Sequence, residues 1–599
     1  MSETSPNALQ NHSSDTSNNA LPNMPKNNDA NQTPDKSFGR SRNPFTKGFL
    51  VFYCAATFSI FFYLGIRGVY SFGVDDSYIF YRYAENVSKG NGFVFNPGEP
   101  AGEGFTSWSW VMLLGISRYA GLDVVTVSKV LGILFHLVSA FMLGLIVVSV
   151  EGKRDISKAG AVALPFFLVF NYRLLAHSVS GMETSLYICA LMALLYLAVR
   201  VFRVLSGVPA GEPISIAASS PAPGSASAVR SQIHWLWMGL GVFGMFLVRP
   251  EGVAAGGVVM AALLLYRREN LFNLRVWGYI FLGLVLPLAL FIGFKMLIFG
   301  YPLPQSFYHK FITRSAEYGD SLRHMAAFLW NHIVWVMAAS MSYLMVLFRK
   351  DRGKDSKYIY SVLFFFFLIM MSVYFFFYPA MNYLHRFYIP YFPVLLVLSV
   401  PLVCWVTEKV LAFPVRYLRP VLFILLAFLA FAAGDMGKAQ AKRTVRQWSY
   451  MVNPHIFRAS LGVKMGELPK GVVVANTEMG VIPYYSGLTC IDMAGLTDPY
   501  IAHHGLTMEY LMKRKVDVII FNREVEKVSA KEWEEYTLGY KNVFLSYDFK
   551  NRFRLVGAFG AWPNRRDNYY LYADTTSGFY PAVEKWGKRY LLADSEGER

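Results

Sequence analysis

From residue 49 to residue 434 the chain alternates apolar runs with polar turns, and several runs exceed what a helix in a soluble core requires. Eleven membrane spans are predicted, at 49–68, 124–150, 158–172, 184–203, 233–248, 252–267, 276–299, 325–348, 358–378, 387–407 and 415–434. The two arms flanking Arg249-Pro250-Glu251-Gly252 are short, so they read either as two spans or as a re-entrant hairpin. Both readings return the chain to the side it came from. Beyond residue 434 the long apolar runs stop. Short β-type segments at 472–475, 490–493, 516–521, 542–547 and 553–556 alternate there with polar, helix-compatible stretches, the pattern of a small soluble α/β domain. Ahead of the first span, residues 1–46 are rich in Asn, Ser, Asp and Pro and bury too little to order themselves. The Ala/Ser/Pro/Gly stretch at 207–229 reads as a flexible linker. The predicted organisation is a cytoplasmic tail (1–46), a transmembrane domain (47–434) with a large outer loop at 70–123, and a C-terminal domain (435–599). The first run begins too far in, at about Phe49, and is too long for a cleavable signal, so it should stay as an anchor.

Composition agrees: 54% of the 599 residues are hydrophobic and 16% aromatic, which places the chain in the membrane class. A net charge of +17 would suit nucleic acid, but much of the Lys and Arg flanks apolar runs, where it sets orientation in the bilayer. Arg40, Arg42 and Lys47 place the N-terminus in the cytoplasm. Every second turn is then basic: Lys153, Arg154 and Lys158; Arg200, Arg203 and Arg230; Arg267, Arg268 and Arg275; Arg349 to Lys357; Lys409, Arg416 and Arg419. An odd number of spans puts the C-terminal domain on the far, periplasmic side of a bacterial inner membrane. Cys54, Cys189 and Cys404 fall in apolar runs and only Cys490 lies in a stretch expected to face water, so neither a disulfide framework nor thiol ligation of metal is expected.

The predicted topology gathers the chemistry-bearing residues on the outer face. Asp75 and Asp76 follow the first span and open an aromatic helix. Helical spacing sets Asp75, Ile79 and Arg82 on one stripe and Asp76, Phe80 and Tyr83 on another, so the two acids should have different tasks. One would take a proton from an acceptor hydroxyl while the other holds Arg82, a metal or a sugar hydroxyl. An acidic first turn at a helix N-terminus is the structural alternative. Glu183 either closes a capping box with Ser180 or faces the same site as Asp75. Arg249 and Glu251 pair to close a tight turn, or the Arg249 guanidinium clamps a phosphate with Glu251 beside it. Lys295 lies within an apolar run, where a lysine is either paired or functional or, this near the end, snorkels outward, and His309, Lys310, His385 and Arg386 add cations from two further outer loops. Tyr78 and Trp108 are aromatic faces for a sugar acceptor or members of an interfacial belt. His503 and His504 lack ligand-like spacing. Carboxylates among Arg, Lys and His suit a substrate with a phosphate and many hydroxyls, a sugar tethered to a polyprenyl phosphate.

The ordered run Asp75-Asp76-Ser77-Tyr78-Ile79, Asn96-Pro97-Gly98-Glu99, Glu103-Gly104-Phe105-Thr106, Ser180-Gly181-Met182-Glu183-Thr184, Arg249-Pro250-Glu251-Gly252 and Asp492-Met493-Ala494-Gly495-Leu496-Thr497-Asp498-Pro499 resembles the GT-C membrane glycosyltransferases. It is most similar to the terminal arabinofuranosyltransferase (AftB-type, ZomB-like) branch. The resemblance spans about residues 70–500 and implies a polytopic α-helical fold with a C-terminal α/β domain. It further implies arabinofuranosyl transfer from a polyprenyl-phosphate sugar, Asp75 and Asp76 at the reaction centre, and a C-terminal domain that helps bind a glycan or glycoprotein acceptor. No cofactor is called for with certainty, a divalent cation being the one left open, and membrane lipid rather than nucleic acid is the expected surroundings. A transporter of lipid-linked glycan, or a non-enzymatic membrane factor affecting motility, are the competing readings. The transporter would show repeats and helices broken at mid-membrane, where this chain groups its charges at one surface.

Overall fold

The computed structural model describes residues 58–59, 62–63, 65–151, 163–208, 214, 226–308, 318–350, 352–376, 382–415, 421, 457–529, 531, 533, 539–560 and 568–591. The tail at 1–46, most of the linker, most of the first span and nearly all of the last lie outside them. The chain divides into two compact units, Met1–Ile60 and Phe61–Arg599, and the helices of the bundle and the strands of the sheet all belong to the second.

Helix α1 (Asp75–Ser88) and α2 (Trp108–Tyr119) belong to the first large loop. The apolar helices come next: α3 (Val124–Glu151), then the short α4 (Tyr172–Val179), α5 (Thr184–Ser206), α6 (Ala226–Val248), α7 (Gly252–Tyr266), α8 (Leu274–Phe299), α9 (Tyr318–Asn331), α10 (Ile333–Phe348), α11 (Lys354–Phe376), α12 (Phe392–Leu398) and α13 (Val400–Leu411). Among the described residues four helices, α3, α5, α8 and α11, are long and apolar enough to cross a membrane. The number is up to six if each bent pair, α9 with α10 (79°) and Tyr383–Leu398 with Val400–Val410 (43°), is one span. The arms around Arg249 form shorter helices, as their length predicts.

Helix α8 is held in an unusual way. A π-helical turn at Phe281–Val285 brings Gly283 against α6, where a Cβ on Gly283 would meet the Leu236 carbonyl oxygen at 2.5 Å, so the contact requires glycine. Within Leu286–Phe299 the one buried residue is Lys295, while Leu286, Leu290, Phe294 and Leu297 face outward.

The C-terminal domain is built on five strands, β1 (Val473–Asn476), β2 (Thr489–Asp492), β3 (Val518–Phe521), β4 (Phe553–Phe559) and β5 (Tyr569–Asp574), in the order β2-β1-β3-β5-β4. β1 is parallel to β2 (Val474 opposite Cys490) and to β3 (Val474 opposite Val518), and β5 is antiparallel to both β3 and β4. Alternation splits the strands between two cores. Val474, Cys490, Val518 and Leu571 share one with Ile79, Phe80, Tyr83 and Trp110 of the first loop; Ala475, Ile491, Ile519 and Phe521 share the other with Tyr540 and Phe544. A sheet covered on both faces explains the nearly continuous apolar runs of its parallel strands. The strand predicted at 542–547 is instead helical: α17 (Tyr540–Phe544) follows Gly539 at φ 78°, and Tyr540 and Phe544, four apart, place both rings on Phe521. β5 is a strand beyond those that the sequence pattern predicts. The short helices α14 (Val481–Ser486), α15 (Pro499–His504) and α16 (Met508–Lys513) lie between β1 and β3, α18 (Tyr547–Arg552) precedes β4, and α19 (Tyr580–Tyr590) follows β5.

Candidate active site

The site forms where α1 meets the C-terminal domain on one side and the turns at residues 183, 249 and 386 on the other. Asp75 and Asp76 open α1, and Val74 at the cap position makes no side-chain bond, so both carboxylates are available to other partners. They do take different ones. Asp75 Oδ2 accepts from the Gly480 amide (3.0 Å), and Oδ1 accepts from the Val481 amide (3.2 Å) and pairs with Arg458 (3.1 Å). A Cβ on Gly480 would lie 2.0 Å from the Asp75 carbonyl oxygen, so this approach excludes any other residue. Asp76, 28% exposed, has Oδ2 3.8 Å from Arg386.

Beneath Asp76 lies a buried charge cluster. Glu183 Oε1 is 3.1 Å from Arg386 Nη2 and 3.3 Å from Arg249 Nε, and Arg249 Nε is also 3.1 Å from Glu251. The capping box is not formed: Ser180 Oγ donates to the His177 carbonyl and accepts from the Met182 amide, which leaves Glu183 to the arginines. Burial would raise the Glu183 carboxyl, but the charges of Arg386 and Arg249 outweigh it and hold it below the usual range. Phe387 packs on both guanidinium groups, 5.1 Å from Arg249 and 5.6 Å from Arg386, and Tyr383 covers Arg386 at 5.6 Å. Leu384 and His385, at φ 51° and 61°, hold the backbone in the left-handed region just before Arg386. Glu183 Oε2, Arg249 Nη1, Arg386 Nε, Thr184 Oγ1, Tyr383 OH and His177 Nδ1 are all buried without a hydrogen-bond partner among the described residues. Each such atom costs about 1–3 kcal/mol unless paired, so their concentration marks the place where a polar substrate would find donors and acceptors.

The structure does not gather every predicted residue here. Arg82 lies on the Asp75 stripe, as helical spacing requires, but its guanidinium donates to the carbonyls of Phe95 (2.8 Å), Leu488 (2.7 Å) and Pro483 and to Asn96 Oδ1 (2.9 Å). It joins α1 to the C-terminal domain rather than to Asp75. Lys295 does not snorkel: it pairs with Glu103 at 2.7 Å, the two side chains being 2% and 3% exposed, and Trp108 Nε1 donates to the same carboxylate at 2.6 Å. His385 meets Asn331 at 2.7 Å. Tyr78 joins Tyr81, Tyr484 and Tyr485 in an aromatic group one turn from the aspartates. His309 and Lys310 lie outside the described residues. Among those that are described, no three of His, Cys, Asp and Glu come together in a way that would hold a metal ion.

Three residues that chemical patterning overlooked complete the site. Arg458 Nη1 bridges Asp75 and Glu478, 3.0 Å from the latter, while its Nε donates to Tyr569 OH at 2.6 Å. Burial pushes the Glu478 carboxyl up to about 7, with Asp75, Asp76 and Asp492 adding to the rise and Arg458 opposing it. Glu478 follows β1 directly, at the carboxyl end of a parallel strand, the position where α/β sheets place functional loops. Asn96 docks the first loop on the C-terminal domain, whereas Asp492 and Asp498 act within that domain. Asn96 accepts from the Cys490 amide (3.0 Å) and donates to its carbonyl (2.8 Å), pairing with the free side of edge strand β2. Asp492 accepts from the Ala494 and Thr497 amides (2.8 and 2.7 Å), and Asp498 caps α15 through the Ile501 amide.

Residues 452–576 match a family described as a domain of unknown function, DUF8728. No curated protein matches the chain. The fold is similar to the crystal structure of ArnT from Cupriavidus metallidurans bound to undecaprenyl phosphate, with a TM-score of 0.51 and 11% identity over 88% of this chain and 98% of that one. The archaeal oligosaccharyltransferase AglB from Archaeoglobus fulgidus, in complex with an inhibitory peptide and a dolichol-phosphate, superposes with a TM-score of 0.47 and 14% identity over 84% of this chain and 71% of that one. The ArnT likeness establishes the fold. The chain shares that fold, a polytopic bundle of apolar helices with a C-terminal domain built on a small sheet.

Proposed function

We propose that the protein is a glycosyltransferase that moves a sugar, arabinofuranose, from a polyprenyl phosphate to a glycan or glycoprotein acceptor on the outer face of the bacterial inner membrane. The observation that carries this reading is the cluster of Arg249, Arg386 and Glu183 beneath Asp76, with buried donors still unpaired, in a fold shared with a protein crystallised with undecaprenyl phosphate. In this reading Arg249 and Arg386 hold the donor phosphate, and Glu183 fixes both guanidinium groups. Asp75, whose oxygens are occupied by two amides and Arg458, anchors the helix. Asp76 takes the proton of the acceptor hydroxyl as its oxygen bonds to the anomeric carbon. The bond from that carbon to the phosphate oxygen breaks, and the polyprenyl phosphate leaves with its charge offset by the arginines. The Tyr78, Tyr484 and Tyr485 rings beside the aspartates offer faces to the acceptor sugar, and the basic turns of the sequence support an outer, periplasmic position for this end of the bundle.

The test is transfer from undecaprenyl-phosphate arabinofuranose by the purified full-length protein in lipid. Asp76→Asn should fold as the parent does and lose roughly 10²–10⁴-fold in turnover, the span of general-base catalysis. Equal turnover by parent and variant would remove Asp76 from the chemistry, and a parent inactive with every polyprenyl-phosphate sugar would end the assignment.

A further inference from the structure

We infer that Glu478 of the C-terminal domain is a positioning residue of the reaction centre, which sets Asp75, and through it the first turn of α1, by sharing the Arg458 guanidinium. This rests on the function proposed above. One nitrogen of Arg458 reaches both carboxylates, at 3.1 Å from Asp75 and 3.0 Å from Glu478. The Glu478 loop is itself fixed: Asn476 Nδ2 donates to the Glu478 carbonyl (2.8 Å) and Asn476 Oδ1 accepts from its amide (3.2 Å). Two residues on, the same loop presents the Gly480 and Val481 amides to Asp75. The carboxylate that starts the reaction helix is thus held wholly from the other domain, by one loop and one arginine.

The groups facing Glu478 decide what its proton does. Asp75 and Asp76 come from α1, Arg458 from the helical segment at 457–465, Asp492 from the end of β2 and Tyr569 from β5. Arg458 is the one cation among these five, so ionised Glu478 competes with Asp75 for it. Protonated Glu478 yields the guanidinium to Asp75. Near neutral pH the residue passes between these states, and the hold on α1 changes with it.

The experiment compares Glu478→Gln, which keeps the shape, with Glu478→Ala in the full-length protein. Transfer from undecaprenyl-phosphate arabinofuranose is followed across pH, and amide hydrogen exchange is read at Gly480 and Val481. The parent should show an inflection in kcat near pH 7 that Glu478→Gln lacks, while KM for the donor stays within about twofold. Glu478→Ala should lower kcat by about 10–100-fold, the effect of a small misplacement of a catalytic group, and speed exchange at both amides. An unchanged inflection in Glu478→Gln, or unchanged exchange in Glu478→Ala, would overturn the inference. The exchange arm needs no turnover: faster exchange in a protein that transfers no sugar would uphold the positioning of Asp75 while the proposed activity fails.

Discussion

Replacing Lys295 by Met should cost more than removing any outward-facing residue of α8, because Lys295 is the one buried residue of Leu286–Phe299. Its Nζ lies 2.7 Å from Glu103 Oε2, the pair being 2% and 3% exposed. With an effective dielectric of about 20, two charges at that separation attract by about 6 kcal/mol. Withdrawing each ion from water costs several kcal/mol, so the intact pair contributes little net stability. The balance changes when one partner goes. Lys295→Met leaves Glu103 buried with the Trp108 indole as its remaining side-chain donor, a loss of about 3–5 kcal/mol. Glu103→Gln strands the ammonium at similar cost. The double variant removes both charges, keeps an acceptor for Trp108, and should lose at least about 2 kcal/mol less than the sum of the single losses. Equilibrium unfolding by SDS in mixed micelles, followed by tryptophan fluorescence, gives the three values. A Lys295→Met loss below about 1 kcal/mol, or strict additivity, would refute the view that this pair fixes α8.

Other expectations arise from the same geometry. Arg386→Gln should raise KM for the polyprenyl-phosphate donor about tenfold or more, since one charge-assisted phosphate contact is worth about 1.5–3 kcal/mol, and steady-state kinetics at varied donor would read it. Gly480→Ala should abolish protection of the Gly480–Val481 region in hydrogen exchange, because its Cβ would fall 2.0 Å from the Asp75 carbonyl oxygen. The folded-state pKa of Glu478 is raised from 4.5 to about 7, so the native state binds more protons than the unfolded chain in that interval. Stability should therefore be fully present below pH 4.5 as far as this group is concerned and fall as pH rises through about 7, and Glu478→Gln should flatten that fall in thermal-melt profiles.

Among the described residues α3, α5, α8 and α11 were legible as spans because a span must be long and apolar, whereas the span expected at 325–348 is broken by a 79° bend between α9 and α10. Arg249, Glu251, Glu183, Arg386 and Asp76 were legible as neighbours because charges next to spans are few and the span order returns them to one surface. The reading failed where a partner lay far away in sequence. Nothing near Lys295 reveals Glu103, and nothing near Arg82 reveals the carbonyls of Pro483 and Leu488, so neither cation's partner could be read from its surroundings. Glu478 and Arg458 were missed because an acid and a base in a polar stretch resemble any solvated surface until the fold closes over them. The strand expected at 542–547 fits by composition, and only the four-residue spacing of Tyr540 and Phe544 onto Phe521 separates helix from strand there.

The pairing of Asn96 with Cys490 spans 394 positions, and that of Asp75 with Gly480 spans 405. During synthesis the acidic helix emerges early, yet the strand and loop that hold it are made only after the spans between. Asp75 therefore acquires its partners as one of the last events of biogenesis, and a chain stalled before β1 would insert in the membrane with its acidic helix unanchored. The same dependence runs in reverse: severed from the first loop, β2 would present an uncovered edge, so the sheet-bearing part is expected to associate with itself when produced alone.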